Sequence, residues 1–290
     1  MWRNSFPIIY SDAAPHIWSL SRKFRRNFCP RSAILRYREA PAVKNGEYSA
    51  DGDRIYACSK RISDSKFLRE ILLGVMQQEF YTGETDAELL TGAVMENFFN
   101  EYRNLIWGKS SRQLLSLCGR ELDFEEKGRE LEHRMYAFLA NIRPHWEKLL
   151  TVQPEARKTI ARVLDLQISE YRCFGSPLCA YFESGKLCFV ELRGGDFTGS
   201  EAETALLHCF YAMNHCGCEP DKVGSLVLDY QNGTFRTFFS GSDLSEAIRA
   251  VKNELAAWEE LWQQRWQNIP GNGANCPYCA FAPLCRDSGV

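Results

Sequence analysis

The chain has 290 residues, 45% of them hydrophobic, and a formal net charge of −2. That is enough apolar material to bury a core without covalent staples, and too little positive charge for a uniformly basic nucleic-acid binder. Its 12 cysteines fall below the density of a disulfide scaffold, and Cys58, Cys118 and Cys188, single and in apolar surroundings, read as reduced thiols. No apolar run reaches the ~18 residues of a membrane span, and MWRNSFPIIYSD lacks a basic start followed by an apolar stretch; the expected setting is cytoplasmic, with no membrane partner.

In chain order, WSLSRKFRRNFCPRSAILRYREAP reads as two short helices joined at Cys29-Pro30, the second ending at Pro41. Residues 1 to 40 hold eight Lys or Arg against Asp12 and Glu39. Within them Arg22, Lys23, Arg25, Arg26, Arg31 and Arg36 are the candidate phosphate-facing patch, with a solvated helix face as the alternative. Residues 44 to 64 read as a loop. Apolar positions at three and four spacing predict helices from Ser65 to Trp107, and residues 122 to 170 read as helical again.

The period then changes to two. SPLCAYFESGKLCFVELRGG predicts a hairpin turning at Glu183-Ser184-Gly185-Lys186, TALLHCFYAMNHCG a helix, and SLVLDYQNGTFRTFF a second hairpin around Asn232-Gly233. A last helix is expected from an Asp243 cap with Glu246 as its reciprocal partner, carrying an apolar stripe from Leu244 through Val251, Leu255, Trp258 and Trp262 to Trp266. It stops at Pro270-Gly271-Asn272-Gly273. The whole is expected to be a mixed α/β domain over 1–290: N-terminal helices and loop (1–64), a helical subregion (65–165), a core sheet with its helix (166–240), and a C-terminal helix with a cysteine loop (241–290).

That loop, CPYCAFAPLC, places Cys276 and Cys279 at a spacing that lets two thiolates face one metal or cluster, with Cys285 following. A fourth soft ligand must come from elsewhere in the chain. In HCFYAMNHCGC, His208, Cys209, His215, Cys216 and Cys218 read as core and loop residues, because no ligand pattern closes around them.

FCPRSAILRY at 28–37, paired with the C-terminal C-x2-C-x5-C, resembles the iron–sulfur branch of the PD-(D/E)XK nucleases, which includes the RecB-like CRISPR-associated exonucleases and the nuclease domain of AddB. The resemblance implies a restriction-endonuclease-like core sheet flanked by helices, with a [4Fe-4S] cluster held by Cys29, Cys276, Cys279 and Cys285 joining the chain ends. Four cysteines could hold zinc instead, and only the family likeness separates the two.

The same resemblance implies a cation site of carboxylates and a lysine, and here the chain departs from it. KLCFVELRGG offers Glu191 and Arg193 for the E-x-K pair, and a guanidinium clamps phosphate without acting as a compact, tunable ammonium. Gly175-Ser176-Pro177-Leu178-Cys179 has no carboxylate where the family places an Asp. Gly92 to Glu96, or alternatively Gly74 to Gln78, lacks the family's His. Leu207 and Tyr211 keep only the Tyr of Q-x3-Y. Glu170 matches an acidic residue before the hairpin. The expected function is a catalytically inactive nuclease-fold protein that binds DNA or a nucleoprotein partner within a helicase–nuclease, CRISPR-adaptation or antiphage complex. The alternatives are an exonuclease that uses Mg²⁺ or Mn²⁺ at a site rebuilt from Glu170, Glu183 or Glu191 with Glu96, and a protein-interaction scaffold that binds no nucleic acid.

Overall fold

A computed structural model describes residues 17–44, 46, 51–82, 86–118, 123–168, 171–194, 200–239, 244–287 and 289. The protein is mixed α/β, and its contacts define two compact units. One comprises Met1–Arg61, Ser169–Arg172 and Lys252–Val290, and the other Ile62–Ile168 and Cys173–Val251.

In the first unit, β1 (Ile17–Ser19) leads into α1 (Leu20–Phe28), whose N-terminus is capped where the Ser19 hydroxyl accepts from the Arg22 amide. Pro30 forces the residue before it out of the helical region, so Cys29 is extended (φ −165°, ψ 111°) and α2 (Pro30–Ile34) starts at the proline. Pro41 does not end the helical run. A π-helical turn (Leu35–Glu39) hands over to α3 (Ala40–Lys44), and Pro41, which has no N–H to donate, directly follows the Ala40 amide that closes the turn on the Leu35 carbonyl. The expected loop at 44–64 contains a helix, α4 (Gly52–Ser59), because Ile55 and Cys58 give it a face to bury.

The strand β2 (Arg61–Ile62) marks the boundary. Three long helices dominate the second unit: α5 (Asp64–Thr82), α6 (Ala87–Ile106) and, after the short β3 (Gln113–Leu114), α7 (Phe124–Leu150). The helical expectation for 122–170 holds only as far as 150, since LDLQI alternates and forms β4 (Leu164–Ile168). Next come β5 (Tyr171–Gly175), β6 (Cys179–Glu183), β7 (Lys186–Arg193), α8 (Glu201–Cys216), β8 (Val223–Asp229) and β9 (Thr234–Phe239).

The sheet runs β6-β7-β8-β9, antiparallel within each hairpin and parallel between β7 and β8, with α8 as the crossover. Both hairpins turn where the sequence indicated, and Ser184 and Gly185 take the positive φ (51° and 77°) of a tight two-residue turn. Alternation sorts the two faces of β7. Cys188, Val190 and Leu192 join the core of α5, α6 and α7, whereas Leu187 and Phe189 pack with Cys209 and Ala212 of α8. Glu191 and Arg193 therefore share the α8 face.

The last long helix, α9 (Leu244–Trp262), begins in the second unit and ends in the first. Its proposed Asp243 cap lies outside the described residues. Trp258 is fully buried, while Trp266 falls beyond the helix in a 3-10 turn (Trp266–Asn268) and is buried there. A second 3-10 stretch (Gly273–Tyr278) and α10 (Ala282–Asp287) complete the first unit.

Candidate functional site

Cys29, Cys276, Cys279 and Cys285 line one cavity of about 230 Å³, together with Arg31, Ser32, Gly271, Asn272, Gly273 and Ala282. Local geometry brings each thiol there. Cys29 occupies the break between α1 and α2, its amide bonded to the Arg25 carbonyl at 2.9 Å and its own carbonyl accepting from the Ala33 amide and the Ser32 hydroxyl. Cys276 and Cys279 are three residues apart at the end of a 3-10 stretch, the spacing at which that helix eclipses its side chains. Cys285 comes from α10.

Two bonds tie the chain ends around the cavity: Asn275 Nδ2 donates to the Phe28 carbonyl (2.6 Å), and Arg31 Nε to the Ile269 carbonyl (2.8 Å). Burial pushes the Cys279 thiol up, with Cys29 and Cys285 adding to it and Arg25 opposing; burial also raises Cys285, against a hydrogen bond and charge from Arg31. Among the described residues, no three Cys, His, Asp or Glu meet closely enough to hold a single metal ion. Tetrahedral zinc needs sulfurs about 3.8 Å from one another, given Zn–S bonds of about 2.3 Å. Four soft donors lining one cavity are of the type that both zinc and iron–sulfur clusters take, and Cys29, Cys276, Cys279 and Cys285 are the residues that would hold either group.

The basic residues of α1 and α2 have inward roles. Arg22 is only 2% exposed, its guanidinium 5.0 Å from the ring centre of Tyr37 and 5.7 and 6.0 Å from those of Trp258 and Trp262. Lys23 and Arg31 are buried. Arg25 lies over Phe28, Arg26 holds both oxygens of Glu254 at 2.8 Å, and Arg36 donates to the carbonyls of Ser59 and Arg61. Much of the N-terminal charge that looked like a phosphate patch thus braces helices or faces the cysteines.

In the second unit, Glu191 and Arg193 project side by side, with 2.9 Å between Oε2 and Nη2. Glu191 Oε1 is 3.1 Å from His208 Nε2, and His208 Nδ1 is 2.8 Å from the Ser225 hydroxyl. His208 also stacks on Phe189, ring centres 4.5 Å apart. Burial pushes the Glu191 carboxyl up, but Arg193, His208 and Arg69 outweigh it and hold the carboxyl below its usual range. Arg69 is itself fixed by donating to the Leu192 carbonyl.

Serine, histidine and glutamate in a row have the order of a hydrolase relay. Glu191 and His208 are each 1% exposed and Ser225 is 0%, so no substrate reaches the serine hydroxyl and the row acts as an internal polar network.

Glu183 pairs with Lys186 across the turn, five residues along β7 from Glu191, or about 16 Å; Glu96 is exposed on α6. Glu170 lies outside the described residues. Of the two candidate matches to the upstream helix motif, the one on α5 reaches the connection between β5 and β6: Gln77 Nε2 donates to the Pro177 carbonyl at 2.7 Å. The sequence did not reveal Arg69, or that His208 and Ser225 partner Glu191. Period-two spacing placed Ser225 on a definite face of its strand, but only the pairing of β7 with β8 shows that this face is also Glu191's.

No protein-family model matches the chain, and no curated protein matches it.

Proposed function

We propose that this protein is a non-cutting member of the iron–sulfur nuclease-like class, acting through association with DNA or a nucleoprotein partner inside a multisubunit complex such as a helicase–nuclease, CRISPR-adaptation or antiphage assembly. One observation carries the reading: cysteines from the two ends of the chain, roughly 250 residues apart and otherwise free to diffuse apart, converge on a single cavity. Cys29, Cys276, Cys279 and Cys285 would hold the [4Fe-4S] group, which when bound cross-links the chain ends. Arg31 and Arg25 supply positive charge beside the thiolates.

One further feature supports the absence of cutting. Glu191 is committed to Arg193 and His208, and a hard divalent cation prefers about six oxygen ligands, several of them carboxylates.

Anaerobic purification followed by iron, sulfide and zinc analysis tests the cluster. Equal iron and sulfide with broad visible absorption is expected, and zinc alone with an alkylatable Cys29 would overturn it. DNA incubated with the protein and Mg²⁺ or Mn²⁺ should stay intact; degradation abolished by Glu191→Ala would instead establish an exonuclease. DNA affinity that falls steeply with salt supports phosphate contact, and absence of binding at low salt would assign the partner surface to protein.

A further inference from the structure

The C-terminal end of α6 presents a large aromatic ring to solvent. Trp107 is 61% exposed, and two turns earlier on the same helix Phe99 is 42% exposed. The rise between them is about 12 Å. Arg103 lies one turn before Trp107, its guanidinium 5.6 Å from the indole centre, and the Lys109 ammonium is 5.0 Å from it.

This geometry is built into the backbone. Gly108 takes φ +66°, its amide bonds to the Leu105 carbonyl, and the Lys109 and Ser110 amides both return to the Asn104 carbonyl. That is a Schellman close, and it folds Lys109 back over the ring. Arg112 follows, held by Glu70 at 2.5 Å. From 99 to 112 the cations are Arg103, Lys109 and Arg112, the last paired with Glu70, and the only acid within that run is Glu101.

We propose that this helix end is a stacking platform for single-stranded nucleic acid, with a base on Trp107, the next aromatic contact at Phe99, and phosphates met by Arg103 and Lys109. An exposed indole flanked by fixed cations suits an unpaired base joined to a phosphate: the ring supplies a sequence-tolerant face and the cations track the backbone. A neutral protein surface would gain from the ring but not from the two cations beside it. The proposal rests on the reading of the chain as nucleic-acid-associated, and it places that contact on α6 instead of on α1 and α2.

Fluorescence anisotropy with labelled oligo(dT) and oligo(U) at low salt tests it. Trp107→Ala should weaken binding of the preferred oligomer about tenfold, with Trp107→Phe within about threefold of wild type because a ring remains. Lys109→Glu should weaken binding and flatten the slope of log affinity against log salt by about 0.7. Circular dichroism melting of each variant verifies folding, and the exposed side chains predict unchanged midpoints. Equal oligomer binding by wild type and Trp107→Ala overturns the platform while leaving a nucleic-acid role intact. If neither oligomer binds wild-type protein that carries its full iron content, both the platform and the nucleic-acid role fall, and this face belongs to a protein partner.

Discussion

Arg193 and Glu191 neutralise each other where little water reaches. Removing one partner leaves a buried charge uncompensated, so Arg193→Ala should cost about 3–5 kcal/mol. Replacing both, as in Glu191→Leu with Arg193→Met, should cost far less than the sum of those two single changes; urea titrations of Glu191→Leu, Arg193→Met and the double variant give the coupling directly. The pair also sets an acid limit. The Glu191 carboxyl is held below its ordinary value of about 4.3, so its contribution is complete above that pH and disappears as pH falls through the lower folded value. Denaturation midpoints should drop below pH 4 in wild type and less so in Glu191→Gln. At this scale the alternation of ELR in the sequence already put the two groups on one face. The identity of their partners was hidden, because His208 and Ser225 approach from other elements and no spacing rule links elements that meet only through the fold.

Among the elements, α9 shows how much a periodic stripe can convey. Val251, Leu255 and Trp258 are buried as their spacing implies, and Trp258→Ala should cost about 3–5 kcal/mol, measured by denaturant unfolding. The β7–β8 region has a tighter constraint. A Cβ added at Gly194 would come within 2.4 Å of the Tyr230 ring, so Gly194→Ala should destabilise by about 1–3 kcal/mol, and a paired Tyr230→Ala should relieve that clash. The hairpin turns were legible because only a few residue types accept positive φ, and ESGK and QNG declare themselves. The strand at 164–168 and the helix at 52–59 were not: each is short, and its preference emerges only once a neighbouring surface exists to cover Leu164 and Leu166, or Ile55 and Cys58.

At the scale of the molecule, the cysteine cavity joins distant parts of the chain. Closing a loop of roughly 250 residues removes chain entropy worth about 5 kcal/mol from the unfolded state, so if the four cysteines hold a group as proposed, its loss should loosen the first unit most. Limited proteolysis of protein stripped of iron, or of Cys276→Ser with Cys279→Ser, should cut first within 1–61 and 252–290 and later within 62–251. Indistinguishable digestion of loaded and stripped protein would contradict a stapling role. None of the helices described is long and apolar enough to cross a membrane. The two-unit division was not visible in the sequence, because the first unit is assembled from the beginning and end of the chain and no linker of distinctive composition separates it from the second.

The π-helical turn at Leu35–Glu39 has one consequence for how this chain can vary in length. Such a turn holds one residue more than the α-helix it interrupts, so removing that residue restores regular geometry and leaves the helix beyond it on nearly the same face. A residue deleted from the regular helix on either side would instead turn everything beyond by about 100°. Arg38, inside the turn, donates to the carbonyls of Trp262 and Gln264. The turn is therefore where this helix can absorb a change in length of one residue, and the contact at risk there is Arg38's hold on the end of α9.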